Sequence, residues 1–463
     1  MLLQDRGDAT VALGLAAVLI IIWASLYNIR GPDLFYEPQP SLELQAGDDS
    51  IFLHHAISIE FPSPIDYTPI HSVCTTHLSN FRPGLLFSCE DQHGGVGMVR
   101  NQILKCIRYA MHGGGALVIP SMAKRNPKDI SDIETSNDAP LEYLFDREIF
   151  IEHLTRACPG MRLYNHAKDF PSYENRAGQP LALVGDQFEP NHPRTGLSDP
   201  LSWRASFDSW LNDQGKVINP SEPIHVQIGQ AYLEYPVHKD TLAFASEFGK
   251  ILSFRSDARA LAARVLLQMQ QQFSLPIDPG KAINDNAFFG AHLRLEKDAV
   301  EAWSPEEGWT FSAMERQFEE VVKEVVRSGM RVVYVACGDQ GIVERFDEYL
   351  SKRLKEVGGG ERNITVVTKG TLLPPLDLAR LEKMSFDQQA LVDFLIMFKA
   401  SFFIGVAHSS FPWTVALRRH ELSMFREGYA NLGSDLLRDE FSVIMGMRSD
   451  YPYVDPFEWG LWP

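Results

Sequence analysis

Residues 288–298 read FFGAHLRLEKD, an apolar run that releases His292, Arg294, Glu296 and Asp298 in quick succession. As a strand, its period of two puts His292 and Arg294 on one face. Open α/β sheets bind ligands just beyond the carboxyl ends of their strands. An arginine at such a point suits a phosphate, because its planar fork makes two parallel charge-assisted bonds. The plainer reading is a strand end with a solvated Arg–Glu pair, and the window alone does not choose between the two. Glu296 and Asp298 read best as a solvated loop. A second stretch, Ala407-His408-Ser409-Ser410-Phe411-Pro412, places two hydroxyls at a helix start with Pro412 in its first turn. Hydroxyls, free N–H groups and a helix dipole together favour an anion, although a simple serine cap explains the same pattern. A third, Gly94-Gly95-Val96-Gly97-Met98-Val99-Arg100, is a glycine-rich turn whose backbone N–H groups can approach a phosphate. It lacks the spacing of a dinucleotide site, and a tight turn needing positive φ accounts for its glycines equally well.

These stretches need elements to hold them. Residues 84–90 (GLLFSCE) form a strand candidate, and 101–110 carry apolar residues at helical spacing. Gly113-Gly114-Gly115 stops that helix, and 116–120 is the next short buried strand. An amphipathic helix over 144–157 and a strand over 161–164 follow. Residues 165–222 turn Pro-, Asn- and Asp-rich and read as a long insertion, either a lip over an acceptor groove or a variable loop. A strand over 224–228 and helices over 235–252 and 257–273 lead into the second half. From 287 the order is regular: the opening strand, helix 309–327, strand 331–337, helix 342–357, strand 364–368, helix 387–400, strand 402–406 and helix 411–419. The tail after about 432 is expected to pack back across the interface. Strands apolar at every residue are buried on both faces, as in a parallel sheet covered by helices. The expected fold class is α/β and GT-B-like: two Rossmann-like, doubly wound domains, 51–280 and 281–463, facing a cleft.

At 463 residues two domains are the default, and a hydrophobic share of 45% with 22% charged residues is that of a globular protein. The formal net charge of −17 argues against nonspecific binding to nucleic acid or to an anionic membrane face. No C-x-x-C, H-E-x-x-H or P-loop pattern occurs, and no metal site is expected. Residues 11–29 contain no charged side chain and reach about 28 Å as a helix, close to a bilayer's hydrocarbon thickness. They read as a transmembrane signal anchor between a short cytoplasmic tail (1–10) and a stem (30–50). The chain is then a single-pass type II membrane protein with a lumenal domain in the Golgi or endoplasmic reticulum. Cys74, Cys89, Cys106, Cys158 and Cys337 form no metal pattern. Disulfides are compatible with a lumen, with pairing left open and Cys89 and Cys337 readable as buried apolar residues. Asn363-Ile364-Thr365 is an N-glycosylation sequon.

Four segments, GGVGMVRNQ (94–102), PLEYLFDREIFIEHL (140–154), GAHLRLEKD (290–298) and ALVDFLIMFKASFFIGVAHSSF (390–411), resemble the GDP-fucose protein O-fucosyltransferase family. The resemblance implies an inverting, metal-independent transfer of fucose from GDP-fucose to a protein or glycan hydroxyl, with no cofactor. It implies that Arg294 holds the β-phosphate, that His292 contacts the nucleotide and that Asp393 accepts from the guanine edge. Ser409, Ser410 and Phe411 then bind diphosphate and base, with Gly94, Gly95 and Gly97 in the donor turn. Whether Arg100 or Asn101 faces the donor is open, and Glu90, just ahead of the turn, is the expected general base. Another nucleotide sugar on the same fold, or a lumenal binding module without turnover, are the alternatives.

Overall fold

Two parallel sheets carry the chain. The computed structural model describes residues 48–58, 60–78, 81–90, 92–126, 138–189, 197, 199–230, 235–303, 305, 308–356, 363–424, 436–446 and 460–463. The expected anchor at 11–29 lies outside them, and among the described residues no helix is long and apolar enough to cross a membrane.

The strands are β1 (Leu85–Cys89), β2 (Ala116–Val118), β3 (Ser121–Ala123), β4 (Asp138–Pro140), β5 (Leu163–Tyr164), β6 (Leu181–Leu183), β7 (Ile224–Ile228), β8 (Phe289–His292), β9 (Val332–Ala336), β10 (Thr365–Val367), β11 (Phe402–Val406), β12 (Leu437–Arg438) and β13 (Ser442–Met445). The first sheet has the order β5-β2-β1-β7-β6 and is parallel throughout. The second has the order β10-β9-β8-β11-β13-β12, parallel except for β12. In each, the chain leaves the first strand in one direction and returns on its other side. The resulting switch points lie between β1 and β7 and between β8 and β11, where such sheets open a crevice.

Alternation along β8 sorts its side chains. Phe289, Ala291, Leu293 and Leu295 pack on Phe318, Val321, Val325 and Phe346 from the helices Met314–Ser328 and Gln340–Glu356. The opposite face carries Gly290, His292 and Arg294. A Cβ at Gly290 would lie 2.6 Å from Met397 Sδ, so the bare backbone is what lets the helix Phe386–Lys399 approach. That helix belongs to an apolar core continuous with the first half, through Phe254 and the helix Ser256–Phe273. The 140–154 segment also ties the halves together. Tyr143 donates to Ser385 Oγ at 2.7 Å and accepts from Gln388 Nε2 through its carbonyl.

Several expectations change. Residues 165–222 are not a structureless insertion. They supply β6 and the helix Trp203–Asp213, which buries Trp203, Phe207 and Leu211. Those three recur at helical spacing, but the polar residues between them mask the period. The expected helix over 235–252 is broken: Pro236 precedes a 3-10 turn, and Thr241, at φ 77°, caps a short helix Leu242–Phe248. The tail adds β12 and β13 to the second sheet before Trp462 packs on Tyr235 and Phe248 in the first half. Cys89 is not a simple buried apolar residue: it is disulfide-bonded to Cys106, and Cys74 to Cys158, with Cys337 free. Asn363 is exposed just before β10.

Candidate active site

Both switch points open into one cavity of about 640 Å³, a size ordinary for a small-molecule site. One wall comes from the first half: His93, Gly94, Gly95, Val96, Met98 and Arg125. The other comes from the ends of β8, β9, β10 and β11. Two helices start at the cavity. Val96–Gly113 begins behind Gly95, which offers no side-chain cap, and Gly94 holds φ 112°, a conformation that suits glycine. Ser410–His420 begins behind Ser409, whose hydroxyl accepts from Phe411 N–H at 3.3 Å. Both helix starts line the cavity and bring their positive dipole ends to it, with Phe411 N–H already held by Ser409 and Pro412 carrying no N–H.

Arg294 is the best-constrained side chain there. Gln317, fully buried, holds its backbone, accepting from Arg294 N–H at 3.1 Å and donating to its carbonyl. Nη1 donates to Glu296 Oε2 at 2.6 Å and to Asp298 Oδ1 at 2.9 Å, and Nη2 donates to Asp298 Oδ2 at 2.6 Å. Glu296 is itself anchored, its Oε1 accepting from Gly338 N–H at 2.7 Å beyond β9. A guanidinium has five donors. These bonds use the end-on fork and the outer Nη1 hydrogen, which leaves Nε–H and the second Nη2–H as a lateral fork. Burial alone would lower the Arg294 pKa, but bonds and charge from Asp298 and Glu296 outweigh it and push it up. Glu296 and Asp298 are therefore not a solvated loop. They orient the arginine: the Arg–Glu pair of the plainer reading is present but buried, and the Asp298 bonds depend on the chain turning back into a helix at Lys297–Ala302.

Around this arginine the wall is aromatic. His292 stacks on Phe411 with centroids 4.5 Å apart and planes 9° apart, and Phe411 packs on Phe394. His408 lies 4.9 Å from Trp303. Burial first, and then the Arg294 charge, lower the pKa of His292 well below the usual range and that of His408 to about 3, so both are neutral near pH 7. Asp393 accepts from Tyr334 Oη at 2.7 Å and pairs with Lys369. Burial followed by the Asp393 charge raises the Tyr334 pKa well above its normal value. Arg125 bridges the walls, 3.7 Å from Asp298 and 3.4 Å from Asp387. The lining holds Arg125, Arg294 and Lys369 against Glu296, Asp298, Glu382, Asp387 and Asp393. It is not a cationic basin.

Of the residues singled out in the sequence, Gly94, Gly95, His292, Arg294, Asp393, Ser409, Ser410 and Phe411 line this cavity. Gly97, Arg100, Asn101 and Glu90 do not. The helix starts at Val96 and not at Asn101, which turns Arg100 and Asn101 away to the tail. Arg100 donates to the carbonyls of Trp462, Gly249 and Pro463, and Asn101 donates to that of Gly460. Gly97 is required by packing: its Cβ would sit 2.7 Å from Ser410 O. Glu90 is exposed, and Oε2 accepts from Gln230 N–H at 3.3 Å beyond β7. Sequence reasoning missed Lys369, Trp303, Asp387 and Arg125. Lys369 stands just past a parallel strand, the same signal that marked Arg294. Arg125, after β3, carries no such signal.

Solved structures similar in fold include POFUT1 in complex with GDP-fucose, 14% identical, covering 80% of this chain and 100% of that one at a TM-score of 0.44. The fucosyltransferase NodZ from Bradyrhizobium is 13% identical, covering 73% of this chain and 91% of that one at a TM-score of 0.34. No curated protein matches the chain. The model of one family, GDP-fucose protein O-fucosyltransferase, matches residues 85–422, from β1 through the helix that starts at Ser410. Covering well over half of the sequence, that match shows that the chain belongs to the GDP-fucose protein O-fucosyltransferase family.

Proposed function

We propose that this fucosyltransferase moves fucose from GDP-fucose to an acceptor hydroxyl of a protein or glycan, with inversion and without a metal. The observation that carries the reading is the lateral fork of Arg294, held by two carboxylates at the β8–β11 switch point beside the Ser410 helix start. Two charge-assisted bonds from that fork stabilise the β-phosphate oxygens as the glycosidic bond breaks, contributing on the order of 1.5–3 kcal/mol each. Ser409 and Ser410 add hydroxyl and helix-start donors. The neutral His292–Phe411 stack suits an aromatic base or ribose face. Each Asp393 oxygen keeps a second lone pair beyond its Tyr334 or Lys369 partner, which suits the N–H donors of a guanine edge. Gly94 and Gly95 let backbone approach the donor from the opposite wall. Two disulfides support a lumenal location, since such bonds persist in oxidising compartments. An anchor at 11–29, a Golgi or endoplasmic reticulum address and a glycan on Asn363 complete the proposal.

The test offers the full chain a panel of nucleotide sugars and measures nucleotide release. GDP release from GDP-fucose that is lost in Arg294→Ala supports the reading. Preference for another nucleotide sugar would overturn the donor assignment. GDP binding without turnover, insensitive to Arg294→Ala, would leave a binding module.

A further inference from the structure

We infer that His93 is the general base that takes the proton from the attacking hydroxyl, with Gln230 and Glu90 orienting it. The inference rests on the donor reading above. Inversion is an in-line displacement, so the acceptor approaches the anomeric carbon from the side opposite the leaving diphosphate. With Arg294, Ser409 and Ser410 holding diphosphate on the second sheet's wall, the base belongs on the first. Among the described residues lining that wall, the ionisable side chains are His93 and Arg125. A guanidinium does not accept a proton at neutral pH.

The lining carboxylates of the other wall are mostly committed. Glu296 and Asp298 hold Arg294, Asp387 faces Arg125, and Asp393 is paired with Lys369. Glu382 follows the helix Pro375–Leu381, on the second half's side. His292 and His408 are buried against Arg294 and are poor proton acceptors.

His93 also has the orienting partners a base needs. Its Nδ1 meets the side-chain amide nitrogen of Gln230, whose own backbone N–H donates to Glu90 Oε2 at 3.3 Å. With the amide turned so that its oxygen accepts from Nδ1–H, the lone pair stands on Nε2. Glu90 thus becomes a positioning residue, fixing Gln230 at the end of β7. In the step itself, the acceptor oxygen bonds to the anomeric carbon. The bond from that carbon to the phosphate oxygen breaks, its electron pair leaving with GDP, and the hydroxyl proton passes to His93 Nε2. The charged neighbours are Glu90 through Gln230 and Arg125, which reaches Gly94 O at 3.5 Å and faces Asp298 and Asp387.

The test follows GDP release from GDP-fucose by the full chain, with water in place of the acceptor hydroxyl. Expected for His93→Gln is a turnover loss of roughly 100-fold or more, the scale of general-base catalysis. Its GDP affinity and melting temperature stay at wild-type values, and the acid limb of the pH–rate profile disappears. Glu90→Gln loses roughly tenfold or less, the scale of one orienting hydrogen bond. Turnover in His93→Gln within about threefold of wild type, less than the smallest general-base effect, overturns the inference. So does a collapse in Glu90→Gln or Glu382→Gln that His93→Gln does not show. A wild-type chain that neither binds GDP nor releases it sinks the donor reading as well. GDP binding with intact turnover in His93→Gln sinks this inference alone.

Discussion

Asp298→Asn separates the aim of Arg294 from its charge. Asparagine keeps the shape and one acceptor but presents an amide N–H₂ where Asp298 accepts from Nη1 at 2.9 Å or from Nη2 at 2.6 Å. One charge-assisted bond is therefore lost and one donor faces a donor. At about 1.5–3 kcal/mol for such a bond, and 1.4 kcal/mol per decade, the expected turnover loss is roughly 10- to 150-fold. GDP affinity should not fall in parallel, because removing a carboxylate beside the phosphate site also removes repulsion. The assay pairs GDP release from GDP-fucose with calorimetric GDP binding, and a melting curve guards against unfolding. A double mutant with Arg294→Ala supplies the decisive control. If Asp298 acts only through Arg294, it does no further harm once the arginine is gone. Wild-type turnover in Asp298→Asn, or a full further loss on the Arg294→Ala background, would refute the orienting role.

Other outcomes follow from packing and charge. Gly97→Ala places a methyl 2.7 Å from Ser410 O and 2.9 Å from Thr414 Oγ1, so overpacking should cost about 1–3 kcal/mol and be visible as a lower melting temperature. Trp462→Ala empties a fully buried site stacked on Tyr235 and edge-on to Phe248 and should cost about 3–5 kcal/mol, measured by denaturant unfolding. Removing the Cys74–Cys158 bond, which spans 84 residues, should cost about 4–5 kcal/mol by chain entropy, more than the ~3 kcal/mol for the 17-residue Cys89–Cys106 loop, as unfolding of each serine double mutant will show. His408 has its folded pKa lowered to about 3, so between pH 6.5 and 3 the unfolded chain binds the extra proton. Stability should fall as pH drops through that window, and His408→Phe should flatten part of the slope in melting temperature against pH.

The sequence by itself determined the elements with strong local signals. Strands apolar at every residue, such as Val332–Ala336 and Phe402–Val406, identified a buried parallel sheet. The period-two run through His292 and Arg294 marked the strand end that lines the cavity, and the Ser409-Ser410 helix start was legible from cap chemistry. Each of these is a property of neighbours in the chain. What failed depended on partners far away. Arg100 and Asn101 looked like donor contacts until the helix start and the returning tail turned them onto Gly460 and Trp462. Glu90 sits next to the turn in sequence, but strand β7 draws its carboxylate to Gln230. Arg125 reaches Asp298 and Asp387 across the cleft, a contact between residues more than 170 positions apart. The lateral fork of Arg294 is also a tertiary product. The sequence supplied an arginine and two nearby acids, but only the fold decides which hydrogens those acids occupy and which they leave.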